Sequence, residues 1–393
     1  MGSRGMGSPM RRRDRACRLL ALLLLSLTCL AVRPAIADTA TSLRITFLNP
    51  GKHDEFFWPA VSGAMSAAAA QFGDTLEIVY AERDAQAIGT LGREIINRAT
   101  PPDILILVNE FQAGAALLKE ADAKGIKTFM LLNSFYGAEA QRMGAPATRY
   151  KHWLGSLVPD NKAAGKRMAE ALITCARQTA EKGKDGKYHL LGLLGDSTTP
   201  ASIDRTEGLL EAVAARPDVV LDRTLATNWQ TVKGHDLTAN FLDWSESQKI
   251  PLAGIWAAND ALALGAIAAA EERQLATGKD FCTVGLNWSP EAVDLVASGK
   301  MAMTHGGHFL AGGWAIVMLH DLLSADAAGK PVAARDAAFS MAPIDRRNVQ
   351  DFIAKLGDRD WRRIDFKSFS HHGDGGSYNF SLAKTLDHLR PPM

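Results

Sequence analysis

Residues able to hold a small polar molecule recur at strand-to-helix junctions along this chain. Asn259-Asp260 breaks an apolar run, Pro251 to Ala257, just before an alanine- and leucine-rich helical stretch. A short polar side chain there caps the first helical turn. We expect Asp260 either to do that or to face a ligand. Asn259 has an amide that both donates to and accepts from hydroxyls. Earlier, Asp54-Glu55-Phe56-Phe57-Trp58 opens the first helix. Neighbouring helical positions diverge by roughly 100°, so three consecutive aromatics cannot all enter one core, and at least one is expected in a cleft. A flat aromatic face suits the C–H surface of a sugar ring, and nearby carboxylates and amides suit its hydroxyls. Trp229 in Asn228-Trp229-Gln230 sits in a loop between strand and helix and is expected to line the same cleft, with Asn287-Trp288 comparable unless Trp288 packs on the next helix. Arg205, on the first turn of a helix, either grips a ligand or pairs with Glu207 or Glu211 on the surface.

The chemistry of catalysis is harder to find. His305-Gly306-Gly307-His308 has a metal-like spacing, but two glycines oppose a helix and no acidic residue or cysteine completes a set. It reads as a flexible polar crossing between domains, with His308 able to reach a ligand. Gly195-Asp196-Ser197 lacks both the flanking glycine of a serine-hydrolase elbow and the Gly-Lys of a phosphate loop. We therefore expect no enzyme, no metal and no cofactor.

These residues need elements to hold them. The start of the chain reads as a secretory leader, residues 1–37: arginines at 11, 12, 13, 15 and 18, an apolar run from Leu19 to Val32, and Ala35-Ile36-Ala37 as a cleavage site. The apolar run falls short of the roughly 20 residues of a spanning helix. The full chain of 393 residues holds 44 basic and 43 acidic side chains, and loss of the leader leaves 37 and 42, a net charge near −5. Nothing in that charge favours nucleic acid. Cys175 and Cys282 remain, and their expected places on a helix and a strand of different units favour two unpaired thiols.

From Leu43 onward, strand-like and helix-like segments alternate through the strand Thr128–Leu132, and after a link from Asn133 to Trp153 the rhythm restarts with a helix at Asn161–Thr179 and runs to a strand at Cys282–Leu286. Short apolar strands alternating with helices call for parallel sheets covered on both faces. Further strands are expected at Met301–Thr304 and near Ala338–Met341, with helices at Leu310–Leu323 and Asn348–Leu356. The fold class is α/β, with two similar doubly wound parallel-sheet lobes. The first lobe takes residues 38–158 and 306–338, the second 159–305 and 339–356, and residues 357–393 form a polar tail packed on the surface.

Glu55-Phe56-Phe57, Pro159-Asp160-Asn161 with Gly165, Arg205-Thr206-Glu207-Gly208, and Ala258-Asn259-Asp260 with Ala263-Leu264-Gly265 stand in an order that resembles the sugar-type periplasmic binding proteins of ABC importers, over roughly Leu43 to Leu356. The resemblance implies a hinge of three crossing segments with the ligand between the lobes. It implies that Phe57 stacks on the ligand with Asp54 beside it, that Trp229 supplies a second aromatic and Asn259 an amide. Asn133 falls where the family often carries an Asp-Arg pair, Ile203 at a pocket arginine, Asn287 at a pocket aspartate, and Gly307 or His308 near a glutamine. Charged hydroxyl-binding groups are therefore missing, which argues against ribose. The implied role is a monomeric periplasmic receptor delivering a sugar-like molecule to a membrane permease, with docking on a sensor kinase or chemoreceptor as the alternative.

Overall fold

The computed structural model describes residues 1–2, 42–330, 335–371 and 377–391. Residues 3–37 of the leader lie outside them.

The first sheet is built from β1 (Arg44–Asn49), β2 (Thr75–Tyr80), β3 (Ile104–Leu107), β4 (Lys127–Leu131), β5 (Trp153–Pro159) and, from far along the chain, β11 (Asp336–Phe339). Its spatial order is β11-β5-β4-β3-β1-β2, with every pair parallel. Helices α1 (Phe57–Phe72), α2 (Ala85–Ile96), α3 (Gly114–Ala123) and α4 (Gly137–Met143) link these strands. The second sheet contains β6 (Tyr188–Leu193), β7 (Val219–Leu225), β8 (Leu252–Ala257), β9 (Cys282–Leu286), β10 (Met303–Gly306) and β12 (Ala342–Asp345). Its order is β12-β10-β9-β8-β6-β7, parallel except where β12 runs against β10. Its helices are α5 (Asn161–Thr179), α6 (Pro200–Ala214), α7 (Thr231–Gln248), α8 (Asp260–Glu271) and α9 (Pro290–Ala297), while α10 (Ala311–Ala327) returns to pack on α1. The central strands β3, β6, β8 and β9 are buried at every position, as a sheet covered on both faces requires.

Each lobe is doubly wound, with its order reversing between β1 and β3 in one and between β6 and β8 in the other. Ligands of such sheets sit beyond the carboxyl ends of the strands at that reversal. The chain crosses between lobes after β5, after β10 and between β11 and β12. Beyond α11 (Val349–Leu356), which packs on β12, it passes back a fourth time to α1 and α10.

Several expectations need correction. The link from Asn133 to Trp153 contains α4, and β5 begins at its end in a stretch where no strand was expected; Gly155 and Ser156 dilute its apolar signal, and a Cβ at Gly155 would collide with the Arg335 carbonyl just before β11. The strand expected at Ala338–Met341 is two short strands in different sheets, and α9 was anticipated only as a helix following Trp288, without bounds. The tail is no surface appendage: Ile364, Phe366 and Phe369 are fully buried, and Phe380 stacks on Trp314 with ring centroids 5.0 Å apart. Cys175 and Cys282 form a disulfide. The two belong to one lobe, where α5 lies against β9 and brings their Cα atoms to 6.0 Å.

Candidate functional site

A cavity lies between the lobes, lined by residues of both. Almost every residue lining it follows the carboxyl end of a strand. From the first lobe come Phe57 and Trp58 after β1, Arg83 after β2, Glu110 after β3, Leu132 and Asn133 after β4, and Pro159 at the end of β5. The second lobe answers with Thr199, Ala201 and Arg205 after β6, Trp229 after β7, Asn259 after β8, Asn287 after β9 and His308 after β10.

Local strain marks the same place. Arg83, Leu132, Trp229 and Asn287 all have positive φ, at 59°, 64°, 70° and 146°. Such conformations cost on the order of 1 to 3 kcal/mol each and persist where the surroundings impose them, often at functional sites. For Trp229 the enforcement is visible. A Cβ on Gly195 would collide with its ring, so the absent side chain makes room for the indole just beyond β6. The Trp229 amide donates to Thr227 Oγ1 at 3.1 Å, and its carbonyl accepts from Asn259 Nδ2 at 3.0 Å.

Of the residues expected in the cleft, Phe57, Asn133, Arg205, Trp229, Asn259, Asn287 and His308 converge there, whereas Asp54 and Phe56 do not. Asp54 is exposed, and Phe56 turns to Phe309 and Arg359, at 6.4 and 5.5 Å between centres. Phe57 faces inward and stacks on His308 at 4.3 Å with 26° between the planes. Trp288 is core, buried against Phe309 and Phe352, with its indole N–H on the Ala342 carbonyl. The segment His305 to His308 is not an exposed crossing: all four residues are buried, β10 runs through Gly306, and His305 Nε2 accepts from Arg167 Nε at 3.1 Å.

The helix cap also falls one residue earlier than expected. Asn259 is the N-cap of α8, its Oδ1 accepting from the Leu262 amide at 2.9 Å. Asp260 is fully buried and instead ties two strand ends together, accepting from the Ser289 amide at 2.8 Å and the Thr304 hydroxyl at 2.8 Å. Burial raises that carboxyl to about 6.

Arg205 does not pair with Glu207 or Glu211, which are held by Lys162. Its guanidinium is buried, donating to Asn161 Oδ1 and the Ala258 carbonyl, each at 2.9 Å, and approaching His308 Nε2 at 3.5 Å. A guanidinium only donates, so His308 Nε2 accepts and the ring proton sits on Nδ1. Burial, with Arg205 alongside, holds His308 neutral, well below the usual histidine range. Its Nδ1 and the Trp229 Nε1 are buried without a partner among the described residues.

Sequence reasoning missed Arg83, Glu110 and Thr199. Arg83 forms an ion pair with Glu55 at 2.8 Å. Glu110 accepts from Asn133 Nδ2 at 3.1 Å and from the Thr199 hydroxyl at 3.3 Å, and burial pushes its carboxyl up to about 7. The signal that finds them is position, since Glu110 and Thr199 stand in the loops after β3 and β6, beside the two reversals of strand order.

With this geometry, the chain belongs to the periplasmic binding protein family, whose domain matches residues 45–327. A solved periplasmic sugar-binding protein from Pseudomonas fluorescens is 32% identical, superposes with a TM-score of 0.75 and covers 87% of this chain and 99% of its own. The ribose import binding protein of Haemophilus influenzae is 31% identical over 148 residues, and the galactofuranose-binding protein of Escherichia coli 25% over 149. Each alignment takes in 38% of this chain and less than half of the relative, 45% and 44% respectively.

Proposed function

We propose that this protein is a non-enzymatic, monomeric periplasmic receptor that captures a sugar or similar small polar ligand in the interlobe cleft and delivers it to the permease of an ABC importer. The observation that carries this reading is the cavity itself. Both lobes contribute strand-end residues to one shared space, and two of its buried donors, Trp229 Nε1 and His308 Nδ1, have no acceptor among the described residues. A buried donor left unpaired costs about 1 to 3 kcal/mol, which a bound hydroxyl or ring oxygen would relieve. The aromatic wall of Phe57, Trp58 and Trp229 suits the apolar face of a sugar ring. The relatives' names, sugar-binding, galactofuranose-binding and ribose import, point the same way.

Residues 1–37 would act as a cleavable leader to the periplasm, and the disulfide suits that oxidising compartment. Hinge closure would form the surface that the permease reads. Of the nine site residues expected from the sequence, we retain Phe57, Arg205, Trp229, Asn287 and His308 as ligand-facing groups, with Asn133 and Asn259 as positioning groups. No observation favours docking on a sensor kinase. Thermal-shift screening of the mature protein against monosaccharides and polyols tests the reading, because a ligand bound only by the folded state raises the melting temperature. A flat response to every member would overturn it.

A further inference from the structure

The charge balance of the cavity points beyond a neutral sugar. Arg205 is 4% exposed, and among the described residues no carboxylate lies within ion-pair distance of its guanidinium. Its hydrogen-bond partners are an amide oxygen, a backbone carbonyl and a neutral imidazole, all uncharged, and the carboxyls of Asp204 and Glu110 act on it only from beyond contact distance. Of its five N–H groups, these three contacts occupy three, leaving two. The other cavity arginine, Arg83, has its counter-charge in Glu55. Buried cations are ordinarily paired, since the loss of hydration is otherwise unrecovered. Next to Arg205, both unpartnered groups of the cavity are donors: Trp229, whose ring lies 5.7 Å from the guanidinium, and His308.

Resting on the sugar-capture reading, we infer that the natural ligand is a sugar acid, a polyhydroxylated monosaccharide whose carboxylate sits against Arg205 and accepts from the Trp229 and His308 N–H groups. A hydroxyl would satisfy those donors but bring no charge to Arg205, whereas a carboxylate does both, and its hydrogen bonds to a guanidinium are the stronger kind. Glu110, the carboxyl of the cavity that opposes an anion, is held by Asn133 and Thr199, and its burial favours the neutral form.

Calorimetric titration of the mature protein against matched pairs tests this: galacturonate with galactose, glucuronate with glucose, ribonate with ribose. At least one acid is expected to bind tenfold or more tightly than its neutral partner. In Arg205→Gln that preference should vanish, and in Arg205→Lys, which keeps the charge, it should persist, with melting curves confirming that each variant folds. A neutral sugar bound as tightly as its acid, or more tightly, overturns this inference and leaves sugar capture standing. Silence across all six compounds counts against both.

Discussion

The backbone amide of Ala201, in the first turn of α6, donates across the cleft to Asn133 Oδ1 at 3.2 Å. Asn133 stands at the end of β4 in the opposite lobe, and its Nδ2 donates to Glu110. Both ends of this amide are thus engaged by protein groups, and Asn133 ties the two lobes together. A net hydrogen bond contributes about 1 kcal/mol, or roughly fivefold in an equilibrium. We expect Asn133→Ala to shift the ligand-free population toward the open form by about that factor, read as a longer mean interlobe distance by fluorescence transfer between labels on the two lobes. An unchanged distance distribution would remove that role.

Asn259 and Trp229 should separate in their effects, although both line the cavity. Asn259→Ala removes the N-cap of α8 and the support of the Trp229 carbonyl, and loss of such a cap costs roughly 0.5 to 2 kcal/mol of stability. Trp229→Phe keeps an aromatic ring and the α8 cap, and removes part of the indole together with an N–H that has no partner among the described residues. Thermal denaturation of the ligand-free proteins should therefore show a larger fall in midpoint for Asn259→Ala, which loses both the cap and the Trp229 support, than for Trp229→Phe. Equal losses in the two would contradict the assignment of Asn259 to positioning.

Glu110 gives the ligand-free protein a pH dependence. Its carboxyl moves from an ordinary 4.5 up to about 7 through burial, so the folded state holds the proton more tightly than the unfolded chain. Stability from this group is complete below about pH 4.5 and is lost as pH rises toward 7, by about 3 kcal/mol in all. Glu110→Gln, neutral and nearly isosteric, should lose less stability than the parent protein between pH 5 and 7.5. Parallel curves for the two proteins would show that Glu110 ionises normally.

The disulfide ties α5 to β9 across a sequence separation of 107 residues. A loop of that size stabilises by roughly 4 to 5 kcal/mol in the chain-entropy model. Cys175→Ala with Cys282→Ala is expected to lower the denaturant midpoint by a corresponding amount, while ligand affinity stays the same because the bridge lines no part of the cavity. A midpoint unmoved by the double substitution would count against the bond.

Much of the fold was legible because alternating apolar strands and alanine-rich helices specify covered parallel sheets. β5 escaped because Gly155, Ser156 and Pro159 weaken its apolar run, and its stability comes from neighbours distant in sequence, β4 and β11. The tail misled for a related reason: its aromatics are spaced irregularly, and only the surfaces of α1 and α10 reveal where Phe366 and Phe369 go. In the site, the aromatics announced themselves by type, while Arg83 and Glu110 lie in loops with no motif and are found only once strand order is known. The disulfide was invisible because pairing depends on α5 packing on β9, which periodicity does not report.

The most direct measurement is calorimetric titration of the mature protein with monosaccharides and their acids, wild type beside Trp229→Ala. The structure predicts one molecule bound per chain by the wild type and affinity reduced roughly tenfold or more in the variant, whose fold remains intact. A sugar bound equally well without the Trp229 ring would place the site elsewhere, and the interlobe cavity would no longer explain what the protein does.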